Sequence, residues 1–197
     1  MASPRLTELL STILSHAPTL AGALARRVEL IDGLIDATAL APVGDVATLA
    51  AELGAAEAGD DYQRLLDRVR RLVGEKRFAL GSQIVAGASD PLEVSAGYAR
   101  VAEAALQVLT QAAIDEFGGR HGRIADSELV VLALGRFGGG ALTHASDLDL
   151  IFLFTGDHMT ESDGEKPLGA VTYYNRLAQR AGAALSVATA GGALYGV

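Results

Sequence analysis

The stretch that most restricts how this chain can fold is LGRFGGGALTHASDLDLIFLF, residues 134–154, where two aspartates one residue apart lead into a run of large apolar side chains. Successive residues of a strand point to opposite faces. Asp147 and Asp149 therefore share one face, and Leu148, Leu150, Phe152 and Phe154 take the other. The apolar face requires a core against it. The acidic face is costly to bury, because neighbouring carboxylates repel each other unless a cation sits between them.

Hard divalent ions such as magnesium take oxygen ligands and keep positions open for phosphate oxygens, so the pair Asp147 and Asp149 suits a magnesium–nucleotide complex. The glycines just upstream fit the same reading. Gly135, followed by Gly138, Gly139 and Gly140, lets backbone approach a triphosphate, with amides at the start of a short helix as donors. Arg136 adds a charge-assisted contact to phosphate, and Ser146 is placed to cap a turn or to touch a phosphate oxygen. Two better-known glycine signatures do not fit. The spacing is wrong for the dinucleotide fingerprint, and Ala141-Leu142 stands where a P-loop needs lysine and then serine or threonine. Taken alone, the glycines read as a tight turn between strands. Taken with Ser146, Asp147 and Asp149, they read as a nucleotide site.

Residues 3–119 are helical in pattern, with apolar positions three and four apart. Ser3-Pro4 opens a first helix and Pro18 interrupts it. A second is expected over 19–36, with Leu20, Leu24 and Val28 on one face, and a third over 45–53. Gly54 and Gly59-Asp60-Asp61 mark a break. The next helix starts near Asp61 and carries Tyr62, Leu65, Leu66, Val69, Leu72 and Val73 opposite Arg64, Arg68 and Arg71, a solvated face, continuing towards Ile84. Ser89-Asp90-Pro91 begins a long helix whose stripe is Leu92, Tyr98, Val101, Ala105, Val108, Leu109, Ala112 and Phe117, expected to end at Gly118-Gly119.

Beyond a polar turn at 122–126 the pattern changes to strand-length apolar runs at 129–134 and 148–154. A charged loop at 157–167 follows, then helical spacing over 171–185 (Tyr174, Leu177, Ala178, Ala181, Leu185), then a strand at 193–197. The expectation is an α+β chain, a helical bundle over 1–125 followed by a mixed-sheet domain over 126–197. His144 reads as polar loop surface, and His158 with Asp157, Glu161 and Asp163 as a solvated loop. Tyr173 and Tyr174 are expected to pack on the sheet.

Bulk properties narrow the function classes. A net charge of −8 argues against broad binding to nucleic acid or an anionic membrane. The absence of cysteine excludes disulfides and cysteine-ligated zinc, which makes a reducing cytoplasmic setting the expectation. No apolar run approaches the roughly 20 residues of a membrane helix, and the N-terminus lacks a signal-peptide layout.

The pattern from Gly135 through Gly140 to Ser146-Asp147-Leu148-Asp149 resembles the active-site motif of the polymerase-beta-like nucleotidyltransferases. More narrowly, ALGRFGGGALTHASDLDLIFLF is similar to the signature of the glutamine synthetase adenylyltransferase family, and EKRFALGSQIVAGASDP, YYNRLAQR and LYGV fit it too. Arg136 replaces the wider superfamily's motif serine, which the narrower family tolerates. The resemblance implies that Asp147 and Asp149 hold magnesium and that Gly135, Arg136, Gly138, Gly139, Gly140 and Ser146 lie at the nucleotide. It implies transfer of AMP from ATP to a tyrosine of glutamine synthetase, with a small nitrogen-signalling protein as regulator. The wording of the motif looks more like the C-terminal, adenylyl-adding half of this two-domain enzyme. The adenylyl-removing half is the alternative, and a non-catalytic helical module with a degenerate nucleotidyltransferase segment is a third reading. The resemblance implies a third carboxylate on a neighbouring strand, which in this family directly follows the LYGV-like segment. This sequence has no acidic residue after Glu165, so a truncated nucleotidyltransferase domain with weak or no activity is expected.

Overall fold

The computed structural model of the protein describes residues 4–56, 61–187 and 194–197. Helices α1 (Pro4–His16), α2 (Pro18–Arg26), α3 (Asp32–Ile35) and α4 (Val46–Leu53) lead to the two long helices α5 (Tyr62–Ala86) and α6 (Pro91–His121). Strand β1 (Leu129–Ala133), the single turn α7 (Gly135–Gly138), strand β2 (Leu150–Phe154) and helix α8 (Ala170–Ser186) complete the order. The fold is α+β.

Local chemistry sets the helix starts. Asp45, Asp61 and Asp90 each accept a first-turn backbone amide, from Thr48, Arg64 and Leu92, all at 2.8 Å. Such a cap is worth about 1 kcal/mol. Pro18 and Pro91 occupy first-turn positions, where no amide hydrogen is needed. Ser3, expected to open the first helix with Pro4, and Gly59-Asp60 of the expected break lie outside the described residues.

Four helical expectations need correction. The helix expected over 19–36 breaks at Arg27, which leaves helical geometry with φ −141° and ψ 85°. Its guanidinium reaches α5, donating to the Arg71 carbonyl at 2.9 Å and to Glu75 at 2.6 Å. A 3-10 turn follows, and Val28, expected on the apolar face, is exposed. Arg68 is buried rather than on a solvated face, and Leu92 is exposed rather than on the stripe of α6. Helix α6 also runs through Gly118-Gly119 to His121, because His121 packs its ring on Phe117 at 4.4 Å and its Nδ1 lies 2.6 Å from the Lys166 carbonyl.

Helix α6 is the spine of the molecule, with α4, α5 and α8 packed against it. Ala102, Ala104 and Ala105 are fully buried and let these neighbours approach closely. The same apolar core continues from Leu49, Val69, Val73 and Leu109 into Phe137, Leu142, Leu148, Leu194 and Tyr195, so the helices pack directly beneath the aspartate segment. A second cluster joins Phe117 and Ile124 to Tyr173, Tyr174 and Leu177, and a third seats α1 and α2 on α5 through Ile13, Leu20 and Phe78. Among the described residues no helix is long and apolar enough to cross a membrane.

The strands pair antiparallel, from Leu129 opposite Phe154 to Ala133 opposite Leu150. Their inner face is half-buried at Leu150, Phe152 and Phe154, while Ile151 and Leu153 are exposed. Tyr174 stacks on Phe154 with ring centres 4.7 Å apart, as the sequence leads one to expect. Both strands are shorter than expected, ending at Ala133 and starting at Leu150. The strand expected over 193–197 is irregular where it is described, at 194–197, while Ala193 lies outside the described residues.

Candidate active site

The aspartates stand immediately ahead of β2, and the alternation inferred from sequence extends to them. Leu148 is 2% exposed and packs in the core, whereas Asp147 and Asp149 are exposed, on the same side as Ile151 and Leu153. Each carboxylate lies against a glycine. The Leu134 amide donates to the Asp149 carbonyl at 2.8 Å, prolonging the ladder, and the chain then turns at Gly135 with φ +55°. A Cβ at Gly135 would lie 2.3 Å from Asp149 Oδ2 and would have to displace that carboxylate, and the positive φ adds strain for any other residue. On the opposite edge the Leu148 amide donates to the Gly196 carbonyl at 2.8 Å. A Cβ at Gly196 would lie 2.4 Å from Asp147 Oδ1. Backbone groups of successive strand residues point to opposite edges, so residues 194–197 flank the pair on the side away from β1.

Among the described residues neither carboxylate has a hydrogen bond or an ion pair, and no group of three metal-capable side chains forms. What remains is two hard oxygen donors on one open face. That suits an ion that shares its coordination with phosphate oxygens, and it falls short of an all-protein cage.

The glycine stretch is wound rather than open. The amides of Gly138, Gly139, Gly140 and Ala141 donate to the carbonyls of Leu134, Gly135, Phe137 and Arg136 at 2.8–3.1 Å, and buried Phe137 pins the turn to the core. Arg136 is exposed and donates from Nε to its own loop at Ala141. Ser146 takes the turn-capping role, its Oγ accepting the Thr143 amide at 2.9 Å.

Sequence reasoning missed what holds this loop. Ser95 of α6 donates to the Leu142 carbonyl at 2.8 Å and accepts the Leu142 amide through its own carbonyl at 3.2 Å. Arg77 of α5 donates to the carbonyls of His144 and Leu194. Its signal was present in the sequence, because Arg77 lies four residues after Val73 and three before Leu80, on the apolar stripe of its helix.

His144 corrects a further expectation, since it is half-buried and its Nδ1 is shielded from solvent with no hydrogen-bond partner among the described residues. Burial, and then the Arg77 charge, hold its pKa below the ordinary histidine value. The Tyr98 ring faces it at 6.0 Å, and Tyr195, whose phenol burial pushes up to about 12, lies beside the same guanidinium. With the folded pKa depressed, the unfolded chain binds more protons once pH falls below about 6.5. Stability is therefore expected to drop as pH falls from about 6.5 towards the folded value. His144→Asn is expected to flatten that part of a urea-midpoint profile, and an unchanged slope would contradict the buried neutral ring.

His158 and Asp157 are exposed and 3.8 Å apart, as expected of a solvated loop. Asp163 of that loop instead caps the turn after α6, accepting the Arg123 amide at 2.7 Å.

The profile of the glutamate-ammonia ligase adenylyltransferase family matches residues 7–197. A bifunctional glutamine synthetase adenylyltransferase/adenylyl-removing enzyme of Mesorhizobium japonicum is 39% identical over 196 residues, covering 98% of this chain and 20% of that protein. Enzymes with the same description from Brucella suis and Rhodopseudomonas palustris strain BisB5 are 38% and 36% identical, over 100% and 98% of this chain. The chain spans about 20% of the length of these curated relatives.

Proposed function

The chain belongs to the glutamate-ammonia ligase adenylyltransferase family, and from that membership we propose that it carries the carboxylate pair of a nucleotidyltransferase site that moves AMP from ATP to a tyrosine of glutamine synthetase. The observation that carries this reading is the placement of Asp147 and Asp149. Both are exposed on one face, each is set against a glycine backbone, and neither is paired to a cation among the described residues. Structural carboxylates of a loop are ordinarily tied to amides or arginines, as Asp163 is here.

In this reading Asp147 and Asp149 hold magnesium, and the turn around Gly135, Arg136, Gly138, Gly139, Gly140 and Ser146 lies at the triphosphate. Magnesium held by Asp147 and Asp149 would supply charge neutralisation at the phosphate oxygens of the nucleotide. The chain's own residues do the rest. Gly135 and Gly196 leave the carboxylates room, Leu148 fixes the strand between them, and Ser146 shapes the turn that delivers Asp147. The domain division at 126 and the adenylyl-adding half are parts of the same proposal, as is regulation of the whole protein by a nitrogen-signalling partner.

No third carboxylate joins the pair among the described residues. Transfer of AMP from labelled ATP to purified glutamine synthetase by this 197-residue chain is therefore expected to run at least about 100-fold below that of a full-length relative, the scale of losing one charge-stabilising group. Turnover close to the full-length rate would contradict the assignment of an incomplete site. Phosphorolytic release of AMP from adenylylated glutamine synthetase, faster than its addition, would move the site to the removing half.

A further inference from the structure

We infer that Arg77 is a positioning residue for the carboxylate pair, a single guanidinium from the helical region that fixes both backbone walls around Asp147. The inference rests on the nucleotidyltransferase reading for its functional consequence and on geometry alone for its structural one. Arg77 Nη2 donates to the carbonyl of His144, three residues before Asp147. Its Nη1 donates at 2.7 Å to the carbonyl of Leu194, two residues before the glycine that packs on the Asp147 carboxylate. The guanidinium also lies over the Tyr195 ring at 5.0 Å, so the segment is held by a face contact as well as a hydrogen bond. The α5 backbone at this point is tied in turn to α6, where Tyr98 Oη donates to the Arg77 carbonyl at 3.2 Å.

Two segments that are 50 residues apart in sequence thus converge on one planar fork, and Asp147 stands between them. Lysine cannot replace it, because a single ammonium on a flexible stem lacks the rigid geometry that spans two carbonyls while stacking on a ring. Among the described residues the fork makes no hydrogen bond or ion pair with either carboxylate. It acts by setting where the Asp147 oxygens can lie relative to Asp149.

The test uses the 197-residue chain and compares Arg77→Ala and Arg77→Lys with Arg70→Ala. Arg70 lies on the same helix and is also partly buried, but it donates to Ala184 in α8 at 3.3 Å and not to the loop. Two quantities are read: amide hydrogen exchange over 142–149 and magnesium-dependent ATP binding. Arg77→Ala is expected to speed exchange over 142–149 and weaken binding, each by at least about tenfold relative to Arg70→Ala, the scale of losing an outer-sphere support. Arg77→Lys is expected to fall between wild type and Arg77→Ala in both, and it carries the test should the alanine variant fail to fold. Exchange and binding within about twofold of Arg70→Ala, or a lysine variant equal to wild type, would overturn the inference. If exchange responds as stated while Asp147→Asn with Asp149→Asn leaves ATP binding intact, the nucleotidyltransferase reading fails and Arg77 stands as the anchor of the loop.

Discussion

Replacing Leu148 by alanine is expected to lower the stability of the chain by about 2–5 kcal/mol and to weaken magnesium-dependent ATP binding along with it. Leu148 is the residue between the two aspartates and is 2% exposed. Its side chain joins the core shared with Phe137, Leu142, Leu194 and Tyr195, so removing it leaves a cavity directly beneath the site. Its amide also donates to Gly196, so relaxation into that cavity shifts the backbone that carries Asp147. Leu153, on β2 and 48% exposed, is the matched comparison, and Leu153→Ala is expected to change stability by no more than about 0.5 kcal/mol. Urea unfolding of both variants decides the matter. A lower midpoint with an unchanged slope for Leu148→Ala alone is the expected outcome. Equal midpoints for the two would mean that the inward and outward faces of this strand have been assigned wrongly.

The parts of the fold that sequence made legible are those governed by short-range rules. Asp45, Asp61 and Asp90 announce helix starts because the amides they cap are two or three residues away. Pro18 breaks the first helix for reasons contained in its own ring. The same holds for the aspartate pair, since period-2 alternation from Leu148 to Phe154 assigns faces without reference to the rest of the molecule.

What was not legible depends on partners far along the chain. Helix propensity runs unbroken through Arg27, yet the chain leaves the helix there, where the guanidinium meets Arg71 and Glu75, 44 and 48 residues on. Gly118-Gly119 looks like a helix stop, but His121 and its contact with Lys166 draw α6 another turn. His144 reads as surface because a loop histidine in isolation usually is, and only the packing of Tyr98 and Arg77 makes it half-buried. The partners of the residues that support the site are hidden in the same way, although Arg77 itself stands out on the apolar stripe of its helix. Ser95 and Arg77 act on carbonyls 47 to 117 residues away, and a backbone carbonyl leaves no mark in a sequence.

Asp147→Asn combined with Asp149→Asn is expected to abolish magnesium-dependent ATP binding. Asparagine keeps the size and the hydrogen-bonding oxygen of aspartate but loses the charge, so a divalent ion loses both of its anionic protein ligands. Both positions are exposed, so the fold is expected to survive within about 0.5 kcal/mol, which separates loss of binding from loss of structure. Titration of ATP into each protein by calorimetry, with magnesium and with a chelator in its place, gives the comparison. Weak, magnesium-requiring binding is expected of the wild-type chain, with a loss of at least about 100-fold in the double variant, or about 2.8 kcal/mol. Binding of the same strength in the double variant, or in the absence of magnesium, would contradict a metal-holding role for the pair.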